Sequence, residues 1–398
     1  MKDLQLLIKP VSSQCNMRCR YCFYQDEASR RKISSYGHMT DETLEMVVKK
    51  ALQAAEDSCV FGFQGGEPTL AGIEFYQTCI SFVDRYKKEK TKVYYTIQTN
   101  GLALDEAWTA FLKEHDFLVG LSLDGTKSLH DHNRKDDRGV GTYARALANG
   151  RMLLEAGIDV NVLCVLTHQS VRLVRKIYRE LKNAGFYRQQ YIPCMDPMGE
   201  SRGMHSWSLT PEDYYQVLCG LFDLWYEDYA WYLHRADGKE RPKVYVRRFD
   251  NWLEMLLGGA PEACSQYGRC TMQNVVEADG SVYPCDFYAL DEYCMGNIHT
   301  KDFEELMEET HNVASPGGRF FVGASLRDNR CQSCKWYPLC RGGCRRDCYC
   351  KTDEAYGVRM RNYYCETYQR FFEYAIGGFE RLAAYLDGAD HRVILPKM

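Results

Sequence analysis

Three cysteines lie close together near the start of this sequence, in the segment Cys15-Asn-Met-Arg-Cys19-Arg-Tyr-Cys22. Three thiolates in one short loop can bind three irons of a [4Fe–4S] cube and leave the fourth iron without a protein ligand. A small molecule can chelate such an open iron. A zinc site is the alternative, but zinc normally takes a fourth Cys or His at matching spacing, and His38 lies well downstream. The spacing therefore predicts an open iron–sulfur cluster.

A second and larger set of cysteines lies in the last third of the sequence and contains a C-x2-C-x5-C-x3-C pattern. Eight thiolates are enough for two fully coordinated [4Fe–4S] clusters, although spacing alone leaves zinc-ribbon-like sites open. Two further cysteines, Cys348 and Cys350, leave the assignment of one ligand, Cys344, open. The predicted ligands are Cys264, Cys270, Cys285, Cys331, Cys334, Cys340, Cys344 and Cys365.

Polar and glycine-rich motifs follow several predicted strands. The segment Gly65-Gly66-Glu67-Pro68 ends the second strand, and the segment Ser122-Leu-Asp124-Gly ends the fourth. Binding sites of α/β barrels are built at the carboxyl ends of their strands, so these motifs are candidates for ligand contacts. Further candidates at strand or loop ends are Tyr24, Gln64, Gln98 and Arg134.

The elements that must position these residues alternate between short β-branched or aromatic runs and longer helical patterns, the first helix of this kind being capped by Thr40. Six such repeats predict an α/β fold, a partial (β/α)6 TIM-like barrel. A small cysteine-rich domain with a C-terminal helix follows. The polar stretch HRADGKERPK predicts the boundary, which gives domains at 1–236 and 237–398.

Composition limits the classes of function. The 398 residues are 45% hydrophobic, and the net charge of −4 with a pI of about 6.2 gives no nucleic-acid footprint. No apolar run is long enough for a membrane helix, and the N-terminus lacks a signal-peptide pattern. In a reducing compartment, 19 cysteines favour metal ligands over disulfides, so we expect a cytoplasmic protein.

The first cysteine motif, with an aromatic residue on each side of Cys22, and the GGEP segment resemble the radical S-adenosylmethionine (SAM) superfamily. The later cysteines resemble the SPASM motif. Longer segments, among them FGFQGGEPTLAG, VGLSLDG, VVEADGSVYPCDFYALD and CKWYPLCRGGCRRD, resemble the anaerobic sulfatase-maturating enzymes. Those enzymes oxidise one Cys or Ser of a sulfatase, within a C/S-x-P-x-R motif, to Cα-formylglycine.

The resemblance implies SAM and three [4Fe–4S] clusters as cofactors. Cys264, Cys270, Cys285 and Cys344 would hold one auxiliary cluster, and Cys331, Cys334, Cys340 and Cys365 the other. SAM would bind at the cluster of Cys15, Cys19 and Cys22. The resemblance implies that the residues around SAM and the peptide are Tyr24, Gln64, Gly65, Gly66, Glu67, Gln98, Ser122, Asp124 and Arg134.

The resemblance also implies a catalytic base, Asp286, directly after an auxiliary-cluster cysteine; Asp291 is a second acid within reach in sequence. The implied partners are a sulfatase polypeptide and a flavodoxin or ferredoxin-type electron donor. Two alternatives remain. The same scaffold serves radical SAM/SPASM maturases that install crosslinks, thioethers or epimerised residues in ribosomally made peptides. A non-catalytic iron–sulfur electron carrier would need the clusters but not GGEP, SLDG and Asp286 together.

Overall fold

The computed structural model describes residues 1–234, 242–325, 328–353 and 357–388. The strands in chain order are β1 (Asp3–Ile8), β2 (Ser58–Phe63), β3 (Lys92–Thr99), β4 (Phe117–Ser122), β5 (Val160–Leu166), β6 (Arg188–Pro193), β7 (Tyr245–Val246), β8 (Val275–Val276), β9 (Ser281–Tyr283), β10 (Gly296–Asn297), β11 (Cys348–Asp353) and β12 (Gly357–Asn362). The helices are α1 (Phe23–Ser29), α2 (Asp41–Ala54), α3 (Ile73–Tyr86), α4 (Glu106–Glu114), α5 (Lys127–Asn133), α6 (Tyr143–Glu155), α7 (Val174–Asn183), α8 (Pro211–His234), α9 (Arg247–Leu256), α10 (Phe303–Glu308), α11 (Pro316–Ser325), α12 (Tyr337–Cys340) and α13 (Cys365–Leu386).

The chain forms two compact units. The first unit comprises residues 1–123, 130–160 and 271–323, and the second comprises residues 124–129, 161–270 and 324–398. The predicted boundary between residues 236 and 237 lies outside the described residues. It stays a prediction.

The first unit is built on a sheet in which β1, β2, β3 and β4 pair side by side in parallel. The apolar side chains of β1 alternate inward, with Leu4, Leu6 and Ile8 buried. Strand β8 adds to the free edge of β1 in parallel, and β9 and β10 continue the sheet in antiparallel pairs. This pairing places the segment 275–297 beside the end of β1, from which the cysteine loop leaves.

Helix α2 of the first unit begins where the sequence predicts. Thr40 caps α2 by accepting a hydrogen bond from Thr43 N at 3.2 Å, and the apolar face of α2 is buried, including Val47 and Leu52. Helix α1 begins directly after the last cysteine of the loop, Cys22. It is short, so its position is fixed by its tertiary contacts rather than by helix propensity.

The second unit contains β5, β6 and β7 in parallel and the antiparallel pair of β11 and β12. Its core is aromatic. Five buried aromatic rings pack against one another with centroids of neighbouring rings 5.4–5.8 Å apart. They belong to Trp225 of α8, Phe249 and Trp252 of α9, and Phe371 and Phe379 of α13. Helix α8 thus contributes aromatic side chains to this core.

The predicted α/β class, with parallel strands alternating with helices and a cysteine-rich segment after them, is confirmed. No helix among the described residues combines the length and the apolar character needed to span a bilayer.

Candidate active site

The cysteine loop lies between β1 and α1 and is fixed by backbone hydrogen bonds. Arg18 N donates to Lys135 O at 2.8 Å, and Arg20 N donates to Asn133 O at 3.0 Å. These bonds join the loop to the segment that follows α5. The three cysteines are therefore presented on a backbone that is held at both ends, by β1 before it and by α1 after Cys22.

The three thiols of this loop lie near one another and face N–H donors. Met17 N donates to Cys15 Sγ at 3.4 Å, and Arg134 Nη1 donates to Cys19 Sγ at 3.9 Å. Burial, together with the nearby Glu67 carboxylate and the thiols of Cys19 and Cys22, raises the pKa of the Cys15 thiol to about 12. Thiols in such a site release their protons when a metal binds, and N–H donors stabilise the bound sulfur. The donor set fits an iron–sulfur cluster.

Among the residues that the structure describes, no three Cys, His, Asp or Glu side chains converge as the ligands of a single ion do. The ligands of a cube bind different irons and stand farther apart than the ligands of a single ion. His38, the alternative fourth zinc ligand, makes a 3.2 Å hydrogen bond to Gln14 Oε1.

The GGEP segment packs directly on the start of the cysteine loop. Gly66 N donates to Ser12 O at 3.0 Å, and Glu67 N donates to Gln14 O at 2.8 Å. A Cβ on Gly66 would lie 1.9 Å from the Gln14 carbonyl oxygen, and Gly65 has a φ of +123°. Only glycine allows this approach of the two backbones. Two N–H groups of the motif are thus used within the protein. Two of its carbonyl oxygens are used as well, because Glu67 O accepts from Leu70 N at 3.1 Å and Pro68 O accepts from Tyr76 OH at 2.7 Å.

Glu67 is buried and organises the neighbouring loop. Its carboxylate accepts hydrogen bonds from Thr69 Oγ1 at 2.6 Å, from Thr99 Oγ1 at 2.7 Å and from Asn100 N at 2.7 Å. Burial raises the pKa of Glu67, and these hydrogen bonds oppose the rise. The side chain fixes the end of β3 beside the GGEP segment. Its predicted place beside SAM stays a prediction.

The other predicted SAM contacts have different surroundings. Gln98 Nε2 donates to Ser122 Oγ at 3.2 Å, so the structure brings these two residues together at the ends of neighbouring strands. Arg134 is buried, and its Nη1 donates to Cys19 Sγ in the cysteine loop, as described above. Asp124, in the second unit, is completely buried and accepts a hydrogen bond from Val165 N at 3.1 Å. Their roles toward SAM stay predictions.

The side chain of Asp286 is held by hydrogen bonds to one of its two carboxylate oxygens, Oδ2. Tyr24 OH and Gln64 Nε2 donate to Oδ2 at 2.7 and 2.9 Å, and Asp286 N donates to Gln273 Oε1 at 2.9 Å. The residue is 5% exposed. The other oxygen, Oδ1, is buried and has no hydrogen-bond partner among the described residues. A carboxylate that is oriented through one oxygen keeps the other available as a proton acceptor.

A buried cluster of charges surrounds this carboxylate. Lys9 Nζ lies 2.9 Å from Glu27 Oε2, 3.5 Å from Glu277 Oε1 and 3.8 Å from Asp286 Oδ1. Arg31 forms a second ion pair with Glu277. All of these side chains are at most 7% exposed. We call these five residues the Lys9 cluster. It contains two cations and three carboxylates, so one negative charge is not neutralised within it.

The pKa values in the Lys9 cluster reflect burial and the excess of carboxylates over cations. Burial raises the pKa of Glu27 to about 7 and raises the pKa of Asp286, although Lys9 opposes both shifts. Glu277 also suffers burial, but it contacts both cations, and its pKa is lowered. The surrounding carboxylates raise the pKa of Lys9 despite its burial. Asp286 is therefore a stronger base than an exposed aspartate.

Four members of the Lys9 cluster do not follow from the sequence motifs: Lys9, Glu27, Arg31 and Glu277. A weak signal exists, because Lys9 ends the apolar run LLI and Glu277 follows the apolar pair VV. A charge at the end of a buried strand is unusual unless it is paired. The partners cannot be read from the sequence, since they depend on the pairing of β1 with β8.

Four of the auxiliary cysteines gather within the second unit. Burial, together with the nearby thiols of Cys365, Cys331 and Cys334, raises the pKa of the Cys340 thiol to about 12. Gln369 Nε2 donates to Cys334 Sγ at 3.8 Å. This grouping agrees with the predicted ligand set of one auxiliary cluster, and four thiols with an N–H donor fit a [4Fe–4S] cube.

The other predicted set is divided, because Cys285 belongs to the first unit and Cys264, Cys270 and Cys344 to the second. The additional thiol of Cys348 donates to Cys344 O at 3.3 Å. The side chain of Cys350 lies outside the described part of the chain. The assignment of these four ligands stays a prediction.

Two family models match the sequence. The model of the radical SAM superfamily matches residues 10–181, and the model of the SPASM iron–sulfur cluster-binding domain matches residues 264–345. The first range contains the cysteine loop, GGEP and SLDG, and the second contains most of the auxiliary cysteines. The predicted SAM and iron–sulfur cofactors are thus supported from both parts of the chain.

Full-length relatives agree with these models. The sequence is 44% identical to the cysteine-type anaerobic sulfatase-maturating enzyme of Clostridium perfringens over 94% of this chain and 97% of that protein. It is 26% identical to the serine-type enzyme of Bacteroides thetaiotaomicron over 97% and 91% of the two chains. The structure superimposes on that of native anSMEcpe with bound AdoMet and Cp18Cys peptide with a TM-score of 0.86, at 41% identity over 96% of this chain and 99% of that one.

Proposed function

Because the chain belongs to the anaerobic sulfatase-maturating enzymes of the radical SAM superfamily, we propose that it oxidises a cysteine of a sulfatase polypeptide to Cα-formylglycine with Asp286 as the base. The observation that carries this assignment is the clamped carboxylate of Asp286, which lies in the same compact unit as the cysteine loop. The peptide-modifying and electron-carrier alternatives are not favoured, since the relatives found over nearly the whole chain mature sulfatases.

When bound, SAM at the open cluster of Cys15, Cys19 and Cys22 supplies the 5′-deoxyadenosyl radical that removes a hydrogen atom from the substrate Cβ, and the auxiliary clusters supply an acceptor for a second electron. The chain itself must remove the thiol proton. We assign that step to Asp286 Oδ1, which has no hydrogen-bond partner among the described residues. Loss of a hydrogen atom, a proton and an electron converts the cysteine to a thioaldehyde, and water then releases hydrogen sulfide to leave the aldehyde.

The clamp on Asp286 explains how a carboxylate can serve here. Tyr24 and Gln64 hold Oδ2, so the carboxylate cannot rotate freely, and only Oδ1 can receive the proton. A radical on the adjacent carbon acidifies the thiol, so position matters more than an exceptional pKa. A general base must lie within hydrogen-bond distance of the proton that it removes.

The choice of cysteine over serine as the substrate rests on the relatives. Identity is 44% to a cysteine-type enzyme and 26% to a serine-type enzyme, over nearly the whole chain in both cases. Chemistry points the same way, because a cysteine thiol has a pKa near ~8.5, far below that of a serine hydroxyl. A carboxylate base therefore removes the thiol proton more easily.

Paired peptides that differ only in Cys or Ser at the target position test this preference. We expect the Cys peptide to be converted at least about tenfold faster, which corresponds to a difference of about 1.4 kcal/mol in the barrier. The measurement is the initial rate of aldehyde formation by mass spectrometry under anaerobic conditions, with an Ala peptide as the blank. A faster Ser peptide would contradict the cysteine assignment and leave the family assignment intact.

We also propose that the electron donor is an acidic protein of the flavodoxin or ferredoxin type. Exposed cations flank the cysteine loop, namely Arg18 and Arg20 within it and Lys135 and Arg138 in the segment bonded to it. We call these four residues the basic surface. Two neighbouring acids, Asp136 and Asp137, offset only half of its charge. Complementary charge steers an acidic partner to the loop that must receive its electron.

Charge reversal on the basic surface is expected to lower the rate with a protein reductant but not the rate with a small-molecule reductant. The double variant Lys135→Glu/Arg138→Glu should lower the rate supported by an acidic flavodoxin by about tenfold, the order of magnitude of electrostatic steering. Its rate with dithionite should stay close to that of the wild type. The control is Lys113→Glu/Arg151→Glu, two exposed positions elsewhere in the first unit. Equal losses with both reductants, or equal losses in both double variants, would exclude this docking surface.

The compartment follows from the cofactors. We propose the cytoplasm, because the thiolate ligands of three clusters and a radical-generating iron require a reducing setting. Among the residues that the structure describes, the cysteines are not joined in disulfides.

A further inference from the structure

Helix α1 and the residues just after it contact the segment that carries Asp286 through three side chains. Tyr24 and Glu27 lie three residues apart on one side of α1, and Arg31 lies two residues after the helix ends at Ser29. Each has a partner in that segment: Tyr24 OH donates to Asp286 at 2.7 Å, Glu27 accepts from Ala289 N at 2.7 Å, and Arg31 pairs with Glu277. The chain that follows the cysteine loop is thus attached at three points to the segment that carries the base, and one of these contacts, from Tyr24, is to the base itself.

Glu27 and Lys9 together hold both ends of the short turn that contains the base. The turn is a single 3-10 turn, Asp286–Tyr288. Lys9 Nζ contacts the carboxylate at its start, 3.8 Å from Oδ1, and also binds Glu27 at 2.9 Å. The other oxygen of Glu27 accepts the backbone N–H of Ala289, the residue just after the turn. One ion pair therefore restrains the turn from both sides.

Stability alone does not explain this arrangement. Buried ion pairs can often be replaced by apolar residues of similar volume without loss of stability. Lys9 has three carboxylates within 4 Å, one of them the base, and an excess of negative charge remains in the cluster. A pair that served only the packing of β1 against α1 would need one carboxylate.

We propose that Lys9 and Glu27 are positioning residues, whose ion pair fixes the direction of Asp286 Oδ1 relative to the cysteine loop. The inference rests on the proposed role of Asp286 as the base. Through α1, the position of Cys22 and the position of the base become parts of one rigid arrangement. Displacement of a reacting group by about 1 Å costs on the order of 100-fold in rate, so a loose turn uncouples hydrogen abstraction from proton removal.

The test is the double variant Lys9→Met/Glu27→Gln, which removes the ion pair and keeps the net charge of the cluster. The control is Lys301→Met/Glu309→Gln, the same two replacements at a partly exposed pair in the same unit, 2.8 Å apart. The substrate is a Cys peptide with deuterium on Cβ. For each protein one measures deuterium in 5′-deoxyadenosine, aldehyde formed per 5′-deoxyadenosine, iron content and the unfolding temperature.

We expect the Lys9→Met/Glu27→Gln protein to transfer deuterium as the wild type does but to form at least about tenfold less aldehyde per 5′-deoxyadenosine. The control should couple the two products normally. A merely structural role would lower iron content, deuterium transfer and aldehyde together, and that result overturns the proposal. Normal coupling overturns it as well, and if Asp286→Asn is still inactive the base assignment survives.

If the double variant fails to fold, the single variant Glu27→Gln is measured in its place. Its amide oxygen can still accept the Ala289 N–H, and Lys9 keeps the carboxylates of Glu277 and Asp286. We expect coupling about threefold below that of the wild type, because half of the restraint on the turn remains. Wild-type coupling in this variant overturns the proposal.

Discussion

The Asp286→Asn variant is expected to lose formylglycine formation by about 10²–10⁴-fold, the range that a general base contributes. Its cleavage of SAM should stay near the wild-type rate. Asparagine keeps the size of the side chain and can still accept from Tyr24 and Gln64 through its carbonyl oxygen. Its amide nitrogen, however, takes the place of Oδ1 and cannot accept a proton. The measurement is aldehyde and 5′-deoxyadenosine from the same anaerobic reaction.

The matched control for this prediction is Asp291→Asn. Asp291 lies five residues later and is the other acid within reach in sequence, but its carboxylate accepts a hydrogen bond from Lys32 N at 2.8 Å. It should retain aldehyde formation. Wild-type aldehyde formation by Asp286→Asn would show that another group removes the thiol proton. Loss of aldehyde in Asp291→Asn alone would move the assignment to that residue.

Replacement of Cys15, Cys19 or Cys22 by alanine is expected to abolish SAM cleavage, so that 5′-deoxyadenosine falls to the blank. Each thiol fills one corner of a cluster that has no spare ligand, and a cube with two protein ligands is not retained. The auxiliary clusters should persist, so the iron content should fall by about one third if three equal cubes are present. The measurement combines iron and sulfide analysis with quantification of 5′-deoxyadenosine.

Cys79→Ala is the control, because Cys79 is a buried residue of α3 with no predicted ligand role. It should keep both iron and SAM cleavage, with at most a modest loss of stability from the small cavity. Undiminished SAM cleavage in any of the three loop variants would contradict the open-cluster assignment. Zinc in place of iron in the reconstituted wild type would contradict it more broadly.

The parts of the fold that the sequence reveals are those set by local patterns. Runs of β-branched and aromatic residues predict the parallel strands, and Thr40 predicts the start of α2. Local spacing also identifies the cysteine loop and GGEP. The structure adds the reason for the glycines, since the carbonyl of Gln14 occupies the space that a Cβ on Gly66 would need.

Long-range pairing accounts for what the sequence does not reveal. Parallel pairing of β8 with β1 brings residues 275–289 next to the cysteine loop, although about 260 residues separate them in the chain. Tyr24 and Gln64 were predicted to face SAM or the peptide; the structure shows that both donate to Asp286. The Lys9 cluster depends on the same pairing, and no spacing rule connects Lys9 or the neighbouring pair Glu27 and Arg31 with Glu277 and Asp286.

The same pairing bears on the predicted domain boundary. A cut between residues 236 and 237 separates the cysteine loop from Asp286, yet residues 271–323 lie in one compact unit with residues 1–123. A polar, glycine- and proline-containing stretch predicts where a chain loops out, but not which segment returns to complete an earlier sheet. The sheet is completed by β8, β9 and β10.

The most direct test of the central claim follows the hydrogen atom itself. Reconstituted protein is incubated anaerobically with SAM, a reductant and a sulfatase-motif peptide whose target cysteine carries deuterium on Cβ. We predict that deuterium appears in 5′-deoxyadenosine and that the peptide gains an aldehyde, with oxygen in place of sulfur and two fewer hydrogen isotopes. A peptide that keeps its sulfur, whether unchanged or crosslinked, together with 5′-deoxyadenosine free of deuterium, would contradict the account.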